Sequence, residues 1–251
     1  MTHRYLDRVY LREPVPAGSY LAALPAVRAL GDREHPLKIP APVTFLVGEN
    51  GTGKSTLLEA VAVACGFNAE GGTRNFSFST RETHSPLYRY LTVGRTAYPR
   101  DGFFLRAESF YNVATNIDEM DEEPGPGGRV IDSYGGVSLH RQSHGESFLA
   151  LVQNRFGGEG LYLLDEPEAA LSPARLLTLM AEMDALVKAD SQFVVATHSP
   201  ILMAFPNARI YLLDGEGIRP ADYRETEHYQ LTRQFLENPE RMLHYLLGNS
   251  D

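Results

Sequence analysis

The 251-residue sequence contains no tryptophan, one cysteine and three lysines. The single cysteine, Cys65, excludes an intramolecular disulfide and is typical of a protein from a reducing compartment. No uninterrupted apolar run reaches the length of about 18 residues that a membrane-spanning helix needs, and the first ten residues lack the apolar segment of a signal peptide. We therefore expect a soluble, cytoplasmic protein without membrane insertion.

The charge balance is acidic, with 23 basic and 32 acidic residues and a net charge of −9. Proteins hold nucleic acid mainly by neutralising phosphates, so this balance argues against nucleic acid as a general partner. One segment, residues 71–106, nevertheless interleaves aromatics with six arginines: Arg74, Arg81, Arg89, Arg95, Arg100 and Arg106. Such a segment either binds nucleic acid or forms half-buried strands with outward-facing arginines, and we favour the strands.

The apolar patterning predicts a single α/β domain over residues 1–251, with a mostly parallel sheet flanked by helices. Buried strands are expected at 43–47, 160–166 and 192–197, and a strand entering a hairpin at 209–214. The remaining predictions are an antiparallel β region at 71–106 that includes Phe76 to Ser79, an acidic Pro/Gly-rich loop at 118–128 and a small helical subdomain within 107–156. Residues 157–251 are expected to end in a helix interrupted near Pro239.

Residues 48–56, GENGTGKST, match the phosphate-loop pattern G-x-x-x-x-G-K-[ST] between a predicted strand and a predicted helix. The glycines allow successive backbone N–H groups to surround an anion, and the helix N-terminus adds partial positive charge. Lys54 is expected to neutralise the β- and γ-phosphates, and Ser55 to offer its hydroxyl to Mg²⁺. The predicted nucleotide contacts are Gly48, Glu49, Asn50, Gly51, Thr52, Gly53, Lys54, Ser55 and Thr56. A turn that merely caps a helix is the alternative.

Asp165 and Glu166 end the apolar run LYLL, at the edge of the sheet where open α/β folds bind ligands. Two adjacent carboxylates are costly unless a cation is present, which favours a metal at this edge. We expect Asp165 to hold Mg²⁺ and Glu166 to polarise the attacking water. An acidic strand end that faces solvent is the alternative.

Together these motifs resemble the ABC-type ATPases, the group that includes transporter nucleotide-binding subunits and the SMC and recombination-repair ATPases. The sequence DEPEAALSP at 165–173 looks like the Walker B strand and D-loop, and THSP at 197–200 looks like the switch loop. QSHGESFL at 142–149 resembles the signature motif, with His144 in place of its first glycine. FFLRAESF at 103–110 occupies the Q-loop region. The whole chain looks like small soluble bacterial AAA-type ATPases of the OLD/SMC-like branch.

The resemblance implies roles for four further residues. His198 would contact the γ-phosphate, although a packing histidine is the alternative, and Glu108 would bind Mg²⁺ or position water. Ser143 and Gly145 would reach the nucleotide of a second subunit, although Ser143 could simply cap a helix that starts near Glu146.

The activity that the resemblance implies is Mg²⁺-dependent hydrolysis of ATP to ADP and phosphate. Two subunits would enclose two ATP molecules head to tail as a homodimer, and the switch would drive an unidentified effector protein. Three other functions stay open at this point: a transporter subunit, a DNA-maintenance or defence ATPase with nucleic acid as partner, and a small-molecule kinase.

Overall fold

The computed structural model describes residues 4–73, 85–108, 110–122 and 129–248. Its strands are β1 (Arg8–Leu11), β2 (Leu37–Lys38), β3 (Val43–Val47), β4 (Leu91–Gly94), β5 (Asp101–Arg106), β6 (Gly160–Asp165), β7 (Gln192–Ala196), β8 (Arg209–Asp214) and β9 (Gly217–Ala221). Its helices are α1 (Pro25–Arg28), α2 (Lys54–Ala64), α3 (Phe110–Glu122), α4 (His144–Arg155), α5 (Pro173–Lys188), α6 (Pro200–Met203), α7 (Glu227–Glu237) and α8 (Pro239–Leu247).

The main sheet has six strands in the order β5-β6-β7-β3-β8-β9. The first five run parallel, and only β9 is antiparallel, as the second arm of a hairpin with β8. Every residue of β3, β6 and β7 is buried, which explains their uninterrupted apolar sequences. The predicted α/β fold with a mostly parallel sheet and a hairpin after 209–214 is thus observed.

A smaller antiparallel sheet, in the order β2-β1-β4, packs beside the main one. The antiparallel prediction for 71–106 is correct for β4 but wrong for β5, which pairs parallel to β6. The reason is that the four central residues of β5 are buried, so this strand forms part of the main sheet. Residues 74–84, which include the Phe76 to Ser79 alternation and two of the six arginines, lie outside the described residues.

Two hydrophobic cores lie against the two faces of the main sheet. Successive residues of β3 point to opposite sides, so Phe45 joins the core that contains residues of α3, α4 and α5, whereas Leu46 joins the core that contains α2. Cys65 is buried in the second core at the end of α2. The parallel arrangement brings the carboxyl ends of β3, β6 and β7 to one edge of the sheet.

The last two described helices are α7 and α8. Asn238 and Pro239 separate them, at the interruption near Pro239 that the sequence predicts. The Asn238 side chain accepts a hydrogen bond of 3.0 Å from the Arg241 N–H and so caps α8. Neither helix contains a buried residue. Within the described ranges, no helix combines the length and the apolarity needed to cross a membrane.

Candidate functional site

The segment between β3 and α2 forms the predicted phosphate loop. Gly51 and Gly53 have φ angles of 84° and 93°, in the left-handed region that glycine adopts without strain. Gly48 passes so close to β8 that a Cβ there would lie 2.1 Å from the Leu213 carbonyl oxygen. The Thr52 hydroxyl donates a 2.8 Å hydrogen bond to the Glu49 carbonyl, which closes the loop.

Lys54 is the first residue of α2 and is 4% exposed. Its Nζ donates to the Glu49 carbonyl at 3.0 Å, so the ammonium lies beneath the loop rather than in solvent. Burial lowers the pKa of Lys54, and the charges of Glu166 and Asp165 act in the opposite direction. The loop lysine and the acidic pair of β6 therefore share one electrostatic site.

Asp165 ends β6 and is paired in register with Arg106, the last residue of β5. Arg106 Nε lies 3.4 Å from Asp165 Oδ2, and Arg106 Nη1 donates to Glu59 Oε2 at 2.6 Å. Burial raises the pKa of Asp165 to about 6, against the lowering effects of Arg106 and of a hydrogen bond with Ser55. The carboxylate is thus largely withdrawn from water, with one cation beside it.

The donor set at this edge fits a magnesium ion. The Oδ1 atom of Asp165 is buried and has no hydrogen-bond partner among the described residues, and the Ser55 side chain interacts with the same carboxyl group. No group of three or more His, Cys, Asp or Glu side chains suited to a metal occurs in the described part of the chain. Mg²⁺ keeps several waters and needs only one or two protein oxygens besides the substrate phosphates, so the smaller set suffices.

Glu166 follows β6 in a strained conformation. Its φ of 49° and ψ of 52° lie in the left-handed region, which is uncommon for a residue with a side chain. Its N–H donates to the Ala196 carbonyl of β7 at 2.9 Å, and Glu166 Oε1 lies 3.4 Å from His198 Nε2. The predicted base and the predicted switch histidine are therefore neighbours.

His198 follows β7 and contacts three residues from other parts of the chain. Its N–H donates to the Glu168 carboxylate, its Nε2 faces Glu166, and its Nδ1 lies 3.2 Å from Nε2 of His228 in α7. The imidazole is about three-quarters buried. The two ring contacts hold the imidazole beside Glu166, and the role of His198 toward the γ-phosphate stays a prediction.

The signature segment begins α4. Ser143 caps this helix, and its N–H and Oγ both donate to Glu146 Oε2, at 3.1 and 2.7 Å. Arg175 of α5 donates to Ser143 Oγ at 3.2 Å and to Glu146 Oε1 at 3.1 Å. Gly145 packs tightly here, because a Cβ would lie 2.4 Å from Arg175 Nη1. Within one chain these contacts join the signature to α5, and the role of Ser143 and Gly145 toward a second subunit stays a prediction.

Glu108 lies apart from the buried groups. Its side chain is 83% exposed, and its Oε2 is 3.7 Å from Arg106 Nη2. The structure thus brings Lys54, Ser55, Asp165, Glu166 and His198 to one edge of the sheet and leaves Glu108 at the rim.

Three residues of the site were missed by sequence reasoning. The composition of 71–106 does not distinguish Arg106 from the other arginines there, although its position at the end of an apolar run is a usable signal. Glu168 lies in the D-loop motif, but nothing in the motif indicates its contact with the His198 N–H. His228 is 30 positions from His198, in a helix without a recognisable motif, and the sequence contains no signal for it.

Two family models match the chain. An AAA-domain model matches residues 26–99, around the phosphate loop. A second AAA-domain model, whose description also names AbiEii toxins and type IV toxin–antitoxin systems, matches residues 132–204, from the signature segment to α6.

The curated relatives are ATP-binding proteins of transport systems. The chain is 20% identical over 224 residues to an uncharacterized ABC transporter ATP-binding protein of Haemophilus influenzae, which covers 82% of this chain and 83% of that protein. It is 34% identical over 130 residues to the galactose/methyl galactoside import ATP-binding protein of Fusobacterium nucleatum, with 43% of this chain aligned. The chain spans only 25% of the Fusobacterium protein.

Among solved structures, cbiO1 of Clostridium perfringens, part of the ABC transporter complex cbiONQ, is similar with a TM-score of 0.51. The sequences are 16% identical, and the match covers 96% of this chain and 98% of that chain. At this identity the likeness concerns the fold. The chain therefore has the P-loop ATPase fold of the ABC type, as the resemblance of its motifs predicted.

Proposed function

We propose that this protein binds ATP with Mg²⁺ and hydrolyses it to ADP and phosphate. The observation that carries the proposal is that the carboxyl ends of β3, β6 and β7 meet at one edge of the sheet. Lys54 there interacts electrostatically with Asp165 and Glu166, and Glu166 Oε1 lies 3.4 Å from His198 Nε2. The names of the curated relatives support ATP as the ligand.

Each residue has a separate task in this reaction. The loop N–H groups and Lys54 bind the phosphates, and Ser55 with Asp165 would hold the ion. A bound Mg²⁺ would neutralise charge that develops on the transferred phosphoryl group. Glu166 orients and polarises water, and His198 donates from Nε2 toward the γ-phosphate. A water acceptor favours hydrolysis over a kinase reaction, because Glu166 and His198 supply what water attack requires.

The complete site would need a second copy of the chain. Ser143 is exposed at the start of the 12-residue helix α4, whose free N–H groups favour an anion. In a head-to-tail homodimer that forms on ATP binding, Ser143 and Gly145 would face the nucleotide of the other copy. The Ser143 hydroxyl donates to Glu146 in the monomer, so its proton must turn away from that carboxylate to bind phosphate. Opening after hydrolysis would move an effector protein.

We propose a protein rather than nucleic acid as the effector, because Arg95, Arg100 and Arg106 have partners within the chain. Arg106 lies in the site, Arg95 Nη2 donates to the Ala64 carbonyl at 3.1 Å, and Arg100 Nε lies 3.2 Å from Glu159. These arginines have partners within the chain, which reduces the positive surface left for a phosphate backbone. A transporter permease is one such effector, in line with the relatives' names.

Phosphate release by the purified chain with Mg-ATP tests the proposal, with and without DNA, and with Lys54→Ala as the blank. Release that requires both Lys54 and Mg²⁺ supports hydrolysis, whereas release equal to the blank contradicts it. A phosphorylated small molecule in place of free phosphate would indicate the kinase. Strong stimulation by DNA would favour the maintenance or defence function.

A further inference from the structure

The switch histidine is joined to the C-terminal helical pair by a second imidazole. His198 Nδ1 lies 3.2 Å from His228 Nε2, and the two ring centroids are 5.4 Å apart. His228 is the second residue of α7. Both rings have their remaining nitrogen, His198 Nε2 and His228 Nδ1, buried without a hydrogen-bond partner among the described residues.

The start of α7 is firmly fixed, so His228 is held in place. Thr226 is fully buried, and its hydroxyl donates to the Tyr223 carbonyl at 2.8 Å. The same oxygen accepts a 3.3 Å hydrogen bond from the Tyr229 N–H and so caps the helix. The rings of Tyr223 and Tyr229 also pack together, with centroids 4.6 Å apart. This end of α7 is anchored although the rest of the helix is exposed.

The pair of facing nitrogens can share only one proton when both rings are neutral. Burial lowers the pKa of His228, and the nearby His198 and Lys54 lower it further, which favours the neutral ring. Glu166 Oε1 lies 3.4 Å from the opposite nitrogen of His198. A carboxylate beside Nε2 stabilises a proton there and opposes a lone pair there. Electrostatics therefore favours His198 with its proton on Nε2 and an acceptor at Nδ1.

We propose that His228 is a positioning residue that donates from its Nε2 to His198 Nδ1 and thereby holds the His198 proton on Nε2. In this tautomer His198 presents a donor toward Glu166 and toward the γ-phosphate of bound ATP. Without the His228 donor, His198 also populates the tautomer with its proton on Nδ1. The Nε2 lone pair of that tautomer would repel the Glu166 carboxylate and the γ-phosphate. The inference rests on the proposed function for its catalytic consequence, but the tautomer itself does not depend on hydrolysis.

Two substitutions separate the hydrogen bond from packing. His228→Phe retains a ring of similar size and lacks the donor, whereas His228→Gln supplies an amide N–H at a comparable distance from the backbone. We expect kcat for ATP hydrolysis to fall at least about tenfold in His228→Phe, with KM changed less than about twofold. We expect His228→Gln to recover most of kcat. The matched control is His244→Phe in α8, whose ring packs on Tyr245 and which should behave as wild type.

The second measurement is made without nucleotide, on protein with ¹⁵N-labelled histidines. The ring nitrogen and proton shifts of His198 report which nitrogen carries the proton. Wild type and His228→Gln should show the Nε2–H form, and His228→Phe a mixture of both tautomers. An Nδ1–H form in wild type, or an unchanged kcat in His228→Phe, would overturn the inference.

The two measurements also distinguish this inference from the proposed function. If wild type releases no phosphate above the Lys54→Ala blank, the hydrolysis proposal fails while the tautomer measurement still decides the role of His228. If His228→Phe fails to fold, as thermal unfolding would reveal, the ring shifts of wild type and of His228→Gln decide it.

Discussion

Arg106 Nε and Asp165 Oδ2 are 3.4 Å apart at the ends of two parallel strands, in the buried rim of the site. The same guanidinium binds Glu59 at 2.6 Å, and the side chains of Glu59 and Asp165 are only 10% and 6% exposed. Arg106 thus contacts two buried carboxylates at once. Removing one member of such a group leaves buried charge without a partner, which costs more than a surface ion pair contributes.

We therefore expect Arg106→Ala to lower the free energy of unfolding by about 3–5 kcal/mol. Urea denaturation at pH 7 measures this difference in the free energy of unfolding. The matched control is Glu108→Ala, which removes the exposed third partner of Arg106 and should change stability by less than about 0.5 kcal/mol. A loss below about 1 kcal/mol in Arg106→Ala would mean that water reaches these carboxylates.

Lys54 should determine nucleotide affinity. Its buried ammonium lies among carboxylates and donates to the Glu49 carbonyl of the loop that would surround the phosphates. Loss of a charge-assisted hydrogen bond of about 3 kcal/mol weakens binding about 100-fold. We expect this loss of ATP affinity in Lys54→Ala, measured by titration calorimetry. Lys188→Ala, which removes an exposed lysine paired with Asp184, should bind as wild type does, and equal affinities in both variants would contradict the role.

Much of the site could be predicted because it depends on local sequence. The phosphate loop, the acidic strand end and the histidine after β7 each follow an apolar run, and parallel strands bring such positions together. The break at Pro239 was equally local, since proline lacks the N–H that a continuing helix needs.

The parts that could not be predicted depend on tertiary register. The sequence predicts an antiparallel β5, because the arginines and aromatics of 71–106 form one continuous pattern. Its pairing with β6, and with it the Arg106–Asp165 contact, is decided by burial on both faces of the sheet. The contact between His198 and His228 joins two elements that are far apart in the sequence, and no repeat or motif in the sequence indicates that they meet.

Glu166 should be required for hydrolysis but not for binding. Its carboxylate is the group beside His198, and an amide of the same shape cannot polarise water to the same extent. We expect Glu166→Gln to slow phosphate release at least about 100-fold and to keep ATP affinity within a few-fold. Because hydrolysis opens the proposed dimer, the variant should also accumulate as a dimer with Mg-ATP.

Light scattering after gel filtration would measure that dimer, with Glu216→Gln, on the exposed turn after β8, as the control. Hydrolysis by Glu166→Gln at the wild-type rate would remove Glu166 as the residue that activates water. A monomer with slow hydrolysis would instead contradict only the dimer.

Gly145 should be required for the dimer. A Cβ at this position would lie 2.4 Å from Arg175 Nη1, so the Arg175 side chain would have to turn away from Ser143 and Glu146, and 3.1 Å from the Ala170 carbonyl oxygen, which would have to give by a few tenths of an ångström. In a Glu166→Gln background we expect Gly145→Ala to reduce the ATP-dependent dimer about tenfold, equivalent to about 1.4 kcal/mol. The ATP affinity of the Gly145→Ala monomer should stay within twofold of that of its parent. The control is Gly18→Ala, where a Cβ meets nothing within 4 Å, and both its ATP affinity and its dimer should stay within twofold of the parent values. An undiminished dimer would contradict a close contact of Gly145 across the interface.

Asp101 should make stability depend on pH far from the site. Its carboxylate accepts hydrogen bonds from Arg155 at 2.9 Å, the Tyr162 hydroxyl at 2.8 Å and the Gly157 N–H at 3.0 Å. Burial acts to raise the pKa of Asp101, but these hydrogen bonds and the charge of Arg155 outweigh it, so the pKa is lowered. The folded state therefore binds this proton less readily than the unfolded state does.

The resulting stabilisation is complete above the ordinary aspartate pKa of about 4 and is lost as pH falls through the lowered value. We expect Asp101→Asn to cost about 2–3 kcal/mol at pH 7, since its hydrogen bonds are to a charged group, and the difference from wild type to shrink below pH 4. Urea denaturation at pH 7, 5 and 3 measures this, with the exposed Asp184→Asn as control. A difference that stays constant down to pH 3 would mean that Asp101 stabilises the folded state without its charge.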